Sequence, residues 1–259
     1  MHFKNKLIVM VVLGLMAGLS TSVAVAQEEE QNEGIARVVL ITPKDGHEEA
    51  LEEAITDYHH YMGGKEGAMR YQWYSIETGP DTGKYIARSG GHNWADFDAT
   101  HDWDKKAGEK FASDVNPHVA DVDIFITRSD RELGMWPESM EGYQYFMVSN
   151  WNIKPGKGSV FNDGIKKIDA ALKAGGWPNY YSFTYNVTGG KGNTVTLVSP
   201  RKNYADMAEK EPGFMDIMNK AMGEEEAAAF VATWAESYWV GEKYMLKHQP
   251  ALSDYGQKK

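Results

Sequence analysis

Residues 71–96, YQWYSIETGPDTGKYIARSGGHNWAD, are echoed at residues 181–206, YSFTYNVTGGKGNTVTLVSPRKNYAD, without a gap and at a constant offset of 110 (181 − 71). Tyr71 aligns with Tyr181, Thr78-Gly79 with Thr188-Gly189, Ser89 with Ser199, Asn93 with Asn203, and Ala95-Asp96 with Ala205-Asp206. Trp73 faces Phe183, and Trp94 faces Tyr204. These matches fall where a chain would turn and where a helix would start. A repeat at fixed period decides the architecture, so it is read first. In each copy an alternating, aromatic-rich run (70–77 and 180–188) reads as a strand, a glycine-rich turn follows, and a second run (84–89 and 194–199) returns as the other arm of a hairpin. Gly189-Gly190-Lys191-Gly192 sits between two such runs, so it reads as a hairpin turn rather than a phosphate cradle.

Working outward, residues 37–42 form a short β-branched run, hence a strand. Pro43-Lys44-Asp45-Gly46 is a turn that resembles Pro155-Gly156-Lys157-Gly158 after a shift of two residues. Leu51, Ala54, Ile55, Tyr58 and Met62 recur at helical spacing, and Gly63-Gly64 stops them. Asn93 caps a helix that carries Phe97, Ala107 and Phe111. Residues 122–127 are the last strand of the first copy. The second copy has strands at 145–153, 180–188, 194–199 and 238–245. Its helices lie at 160–174 and 204–234, the latter with a break at Pro212-Gly213. The order is β-α-β-β-α-β, twice. The resulting division is 1–26 an export signal, 27–34 an acidic segment, 35–128 the first module, 129–142 a linker, 143–247 the second module, and 248–259 a tail.

A split β-α-β-β-α-β order resembles the ferredoxin-like arrangement. Such a sheet has helices on one face and leaves the other to be covered, and a second sheet can cover it. Two such modules in one chain resemble the dimeric α+β barrel superfamily, which includes antibiotic-biosynthesis-type monooxygenases, stress-responsive A/B barrel proteins and haem-binding relatives such as chlorite dismutases. The resemblance implies an α+β fold of two tandem ferredoxin-like modules packed as an intramolecular pseudo-dimeric barrel. A partner chain would then be optional, and the chain is expected as a monomer or homodimer.

The chain has 259 residues, a formal net charge of −10 and no cysteine. An acidic surface without basic runs excludes nucleic-acid binding. The absence of cysteine excludes thiol nucleophiles, thiolate metal sites and disulfides. Lys4 and Lys6, an apolar stretch from Leu7 to Leu19 and an Ala24-Val25-Ala26 exit read as a cleavable signal, too short to span a membrane. The mature chain is expected in the periplasm or outside the cell, free of the membrane, with its net charge moved from −10 to −12 by loss of the two lysines.

Common catalytic and nucleotide-binding motifs are absent. Among the histidines, His59 and His101 border apolar faces and are the candidates for a general base, each weighed against an ordinary boundary histidine. No spacing calls for a metal. The sequence calls for no cofactor, with haem left open by the resemblance. On the hairpin strands one face carries Arg70 and Tyr74 in the first copy and Tyr180 and Thr184 in the second, with Asn150 on the strand at 145–153. Turned inward, these five residues would line a mixed polar and aromatic pocket for a small molecule. The sequence reading is an exported small-molecule-binding protein. The alternatives are a cofactor-independent oxygenase of the α+β barrel type, or an envelope stress protein acting by contacts alone.

Overall fold

The computed structural model describes residues 33–190 and 192–253. The export signal, most of the acidic segment and the end of the tail lie outside the described residues.

The elements run β1 (Ile35–Pro43), α1 (Glu48–Met62), β2 (Gln72–Ile76), β3 (Tyr85–His92), α2 (Asp104–Lys110) and β4 (Val119–Met135). They continue with β5 (Tyr145–Ile153), α3 (Gly158–Gly175), β6 (Tyr181–Thr188), β7 (Thr194–Arg201), α4 (Phe214–Met222), α5 (Glu224–Ala235) and β8 (Tyr238–His248). The offset of 110 carries β1 onto β5 end for end, and the first residue of α1 onto that of α3. The turn between them needs no two-residue shift. Gly46 (φ 74°) corresponds to Gly156 (φ 75°), where the positive φ favours glycine. The single turns Trp94–Phe97 and Tyr204–Met207 also correspond, each preceded by an asparagine. At the second, the Asn203 side chain accepts from the Asp206 N–H at 3.0 Å.

The eight strands close into one antiparallel barrel in the order β1-β3-β2-β8-β5-β7-β6-β4. Two seams join the halves. At one, β4 pairs with β6 from Ile126↔Thr188 to Met135↔Tyr181. At the other, β2 meets β8 over Tyr74↔His248, Ser75↔Lys247 and Ile76↔Leu246.

Helices pack on the outside of the barrel. Strand residues alternate faces, so every second residue points at a helix and the others point into the lumen. Under α1 the helix-facing core is Ile41, Leu51, Ile55, Trp73, Tyr85, Ala87 and Val115. Under α3 and α5 it is larger and more aromatic. Trp151, Phe161, Trp234 and Tyr238 meet ring to ring, with centroids 4.9–5.9 Å apart, and each such pair adds about 0.5–1.5 kcal/mol beyond its burial. Gly164 makes room for this cluster, since a Cβ there would come within 2.1 Å of the Trp234 ring.

Several predicted elements differ. The helix predicted from Trp94 to Phe111 is one 3₁₀ turn followed by the short α2 and a wide turn at Phe111–Val115. The helix predicted over 204–234 is a 3₁₀ turn, α4 and α5. The predicted linker begins as strand, because β4 continues to Met135 along β6. No helix among the described residues is long and apolar enough to cross a membrane.

Candidate functional site

The inward-facing residues fall into two groups. Ile76, Phe146, Val148 and Leu246 are buried, whereas Leu40, Ile86, Arg88, Thr184, Thr196 and Val198 are half-buried. Part of the inside of the barrel therefore admits solvent. One level is closed by an apolar plug of Ile76, Phe146, Val148 and Leu246, drawn from both halves, with Tyr74 edge-on to Phe146 at 5.1 Å.

Beside this plug the wall is polar. β3 alternates Ala87 and Ser89 toward α1 with Ile86 and Arg88 toward the lumen. The Arg88 guanidinium lies over Gly90, where a Cβ would sit 2.4 Å from its Nη1. Its hydrogen-bond partner among the described residues is the Ser129 hydroxyl, accepting from Nη2 at 3.4 Å. Burial pushes the Arg88 pKa down, yet arginine stays protonated at any physiological pH. Burial likewise raises the Tyr74 phenol, with the Arg88 cation pulling the other way. Tyr244, across the barrel, is pushed up to about 12 by burial, opposed by its hydrogen bond with Asn150. Asn150 in turn accepts from the Thr196 hydroxyl at 2.8 Å.

At the mouth, His248 of β8 sits opposite Tyr74, with ring centroids 5.4 Å apart. Its Nε2 lies 2.9 Å from Gln72 Oε1, and since an amide oxygen only accepts, Nε2 carries the proton and Nδ1 the lone pair. Burial lowers the His248 pKa from 6.5, which keeps the ring neutral at pH 7.

Of the five residues expected to line a pocket, Tyr74, Asn150 and Thr184 face the lumen. Arg70 and Tyr180 do not. Arg70 precedes β2, is exposed, and donates to the Gly63 carbonyl at 2.9 Å. Tyr180 precedes β6, is 40% exposed and packs edge-on against Tyr143. The arginine inside the barrel comes from the next strand, at Arg88. The sequence reading passed over it, although Arg88 alternates with small residues and is followed two positions on by glycine. His248 and Tyr244 were also missed. His248 fell in what was read as the tail.

His59 and His101 lie away from the lumen. His59 is buried between α1 and the sheet, and its Nε2 accepts from Trp73 Nε1 at 3.2 Å. Burial lowers its pKa to about 4. His101 stacks on Trp103 at 4.6 Å on the surface, with Nδ1 3.5 Å from Asp104. Among the described residues no three His, Asp or Glu side chains gather as metal ligands would.

No protein-family model and no curated protein match the sequence. Solved structures do match the fold. An anthrone oxidase-like protein shares 12% identity over 85% of this chain and 92% of its own, with a TM-score of 0.52. A proposed monooxygenase from Lactobacillus acidophilus shares 10% over 84% and 93%, at 0.51. A variant chlorite dismutase from Candidatus Nitrospira defluvii shares 9% over 87% and 97%, at 0.53. At these identities the likeness is one of fold: a mixed α+β protein with the dimeric α+β barrel architecture.

The chlorite dismutase corrects one expectation. The sequence called for no cofactor, but haem-binding proteins share this barrel, so haem belongs among the groups the fold accommodates. In this chain the layer where a haem would slide between helix and sheet is filled. Under α1, His59 is committed to Trp73 and the Leu252 backbone within an apolar core. Under α3 the equivalent position is Asp169, and residues 145–247 contain no histidine. These layers do not fit haem as they stand.

Proposed function

We propose that this chain is an oxygenase-type protein of the α+β barrel class, built from two tandem ferredoxin-like modules, that takes a small organic substrate into the lumen. The observation that carries this reading is the solvent-admitting lumen with Arg88, Tyr74, Tyr244 and Asn150 on its wall and a neutral His248 at its mouth. Apolar walls with a few convergent polar groups are the usual make-up of a small-molecule site. The matching element bounds of the two halves support the tandem arrangement, and the leader-like residues 1–26 support export.

The side chains have distinct tasks. His248 Nδ1 takes a proton from an acidic C–H or O–H of the substrate, a step typically worth about 10²–10⁴ in rate. Arg88 holds the oxyanion so formed, in a setting where water is scarce and charge stabilisation is strong. Tyr74 and Tyr244 pack against the substrate's ring, and Asn150 orients it. For a methylene flanked by two aryl rings the overall change balances as CH₂ + O₂ → C=O + H₂O, with one oxygen atom retained and one leaving as water.

The test is oxygen uptake with anthrone as the substrate. Wild type is expected to consume one O₂ per anthrone above the rate in buffer, and His248→Gln to lower that rate about 100-fold. The rate should hold to lower pH than an exposed imidazole would allow, because burial lowers the His248 pKa from its ordinary value. Uptake no faster than in buffer would remove the oxidative step and leave ligand binding alone.

A further inference from the structure

Arg88 is a half-buried cation without a counter-ion. No carboxylate lies within ion-pair distance of it among the described residues, although the chain carries a net charge of −10. A guanidinium with one long hydrogen bond leaves most of its five donors open to a ligand. The wall is shaped to hold this group. Gly90 provides the flat surface on which the guanidinium rests, and any side chain there would displace it. Nearby on the same inward face, the Thr127 hydroxyl is buried and makes no hydrogen bond. Around these donors the wall is apolar and aromatic, with Leu40, Ile86, Val198, Tyr74 and Tyr244.

We infer that the lumen holds a subsite for a planar organic monoanion, an aromatic acid or enolate whose two oxygens meet the Arg88 fork while its ring lies among Ile86, Tyr74 and Tyr244. This rests on the lumen being the binding site, as proposed above, and it names the substrate class. A planar fork matches a carboxylate or enolate in a bidentate manner that an ammonium does not. The anion supplies the charge that the protein leaves out, so binding neutralises the wall rather than adding charge to it.

The test is calorimetric titration of the full protein with 2-naphthoate and with the neutral isostere 2-naphthamide. The acid is expected to bind at least about 10-fold tighter than the amide. Arg88→Gln should erase that preference, and Arg88→Lys should restore only part of it. Gly90→Ala gives an independent check. Its φ is ordinary for an L residue, so the backbone is unstrained, and the added methyl moves only the flexible end of Arg88. It should weaken naphthoate about 5-fold or more and leave naphthamide and the near-ultraviolet circular dichroism unchanged. Equal binding of acid and amide to wild type, or an undiminished preference in both Arg88→Gln and Gly90→Ala, would overturn the inference. Naphthoate binding consumes no oxygen. Silent anthrone assays with selective naphthoate binding would therefore remove the oxygenase reading alone, and anthrone turnover without anion preference would remove this one alone.

Discussion

α1 and α3 lie at equivalent places in the two halves, and position 59 on one corresponds to position 169 on the other. In the first half the residue is His59, whose Nε2 accepts from Trp73 and which also bonds the Leu252 backbone. In the second it is Asp169, whose Oδ1 accepts from the Tyr181 hydroxyl at 2.9 Å and the Gly134 N–H at 2.7 Å, while Oδ2 pairs with Lys173 at 2.7 Å. The two sites share a geometry, a buried polar group on a helix answering an aromatic on the hairpin strand below. They differ in what else they secure. Asp169 also fastens the far end of β4, the segment that crosses from one half to the other, whereas His59 bonds the backbone at Leu252, in the segment that follows β8. The two positions thus correspond in place and carry different chemistry.

The comparison can be broken from its strongest side. Asp169→Ala leaves a buried phenol and a buried amide N–H without an acceptor and should cost about 4 kcal/mol in urea unfolding. A cost below 1 kcal/mol would mean that β4 is held by its pairing with β6 alone. The next effect is one of pH. His59 has a folded-state pKa near 4 against the ordinary 6.5. Between those values the unfolded chain takes up a proton that the folded one refuses, so stability falls as pH drops from 6.5 to 4 and levels off below. The loss is about 3 kcal/mol for a shift of this size. His59→Gln should remove that part of the acid sensitivity, read as the difference between the two proteins at pH 7 and pH 4.5.

Two smaller changes sharpen the contrast between the cores. Ala54 in α1 corresponds to Gly164 in α3. Gly164→Ala drives a methyl into the Trp234 ring and should cost about 2 kcal/mol by overpacking. The converse change, Ala54→Gly, meets no such ring and should cost only about 1 kcal/mol through helix propensity. Equal costs would mean that the two helices sit at the same distance from their sheets.

The parts legible from the amino acids are those set by local periodicity. The 110-residue echo, the helical spacing of Leu51, Ile55, Tyr58 and Met62, and the Thr-Gly turns at 78–79 and 188–189 locate most elements. What periodicity cannot assign is the partner of each strand face. Counting by twos from Tyr74 puts Arg70 on the inward face, but β2 begins only at Gln72, and the carbonyl of Gly63 captures Arg70 outside it. Arg88 obeys the same count on β3 and does point inward. His248 was hidden because β8 runs three residues beyond the predicted strand 238–245, held there by pairing with β2, a contact 174 residues distant that no local pattern reports. The helix predicted over 204–234 is interrupted at the expected Pro212-Gly213, just before α4, and again at Gly223 (φ 87°), which separates α4 from α5. The helix predicted over 94–111 is a 3₁₀ turn and the short α2.

The strands of the two seams leave the ribosome at different times. β6 is made before β8, so β2 has no partner on that edge until β8 has been synthesised. When β8 arrives, the residues after it continue the join. The Gln249 N–H bonds the Trp73 carbonyl at 2.8 Å, and the Ser253 hydroxyl accepts from the Trp73 N–H at 2.9 Å. An emerging nascent chain therefore carries an unprotected strand edge for most of its translation, and the lumen comes into being only with the last strand, so a polypeptide halted before β8 would have two half-walls and nowhere to hold a guest.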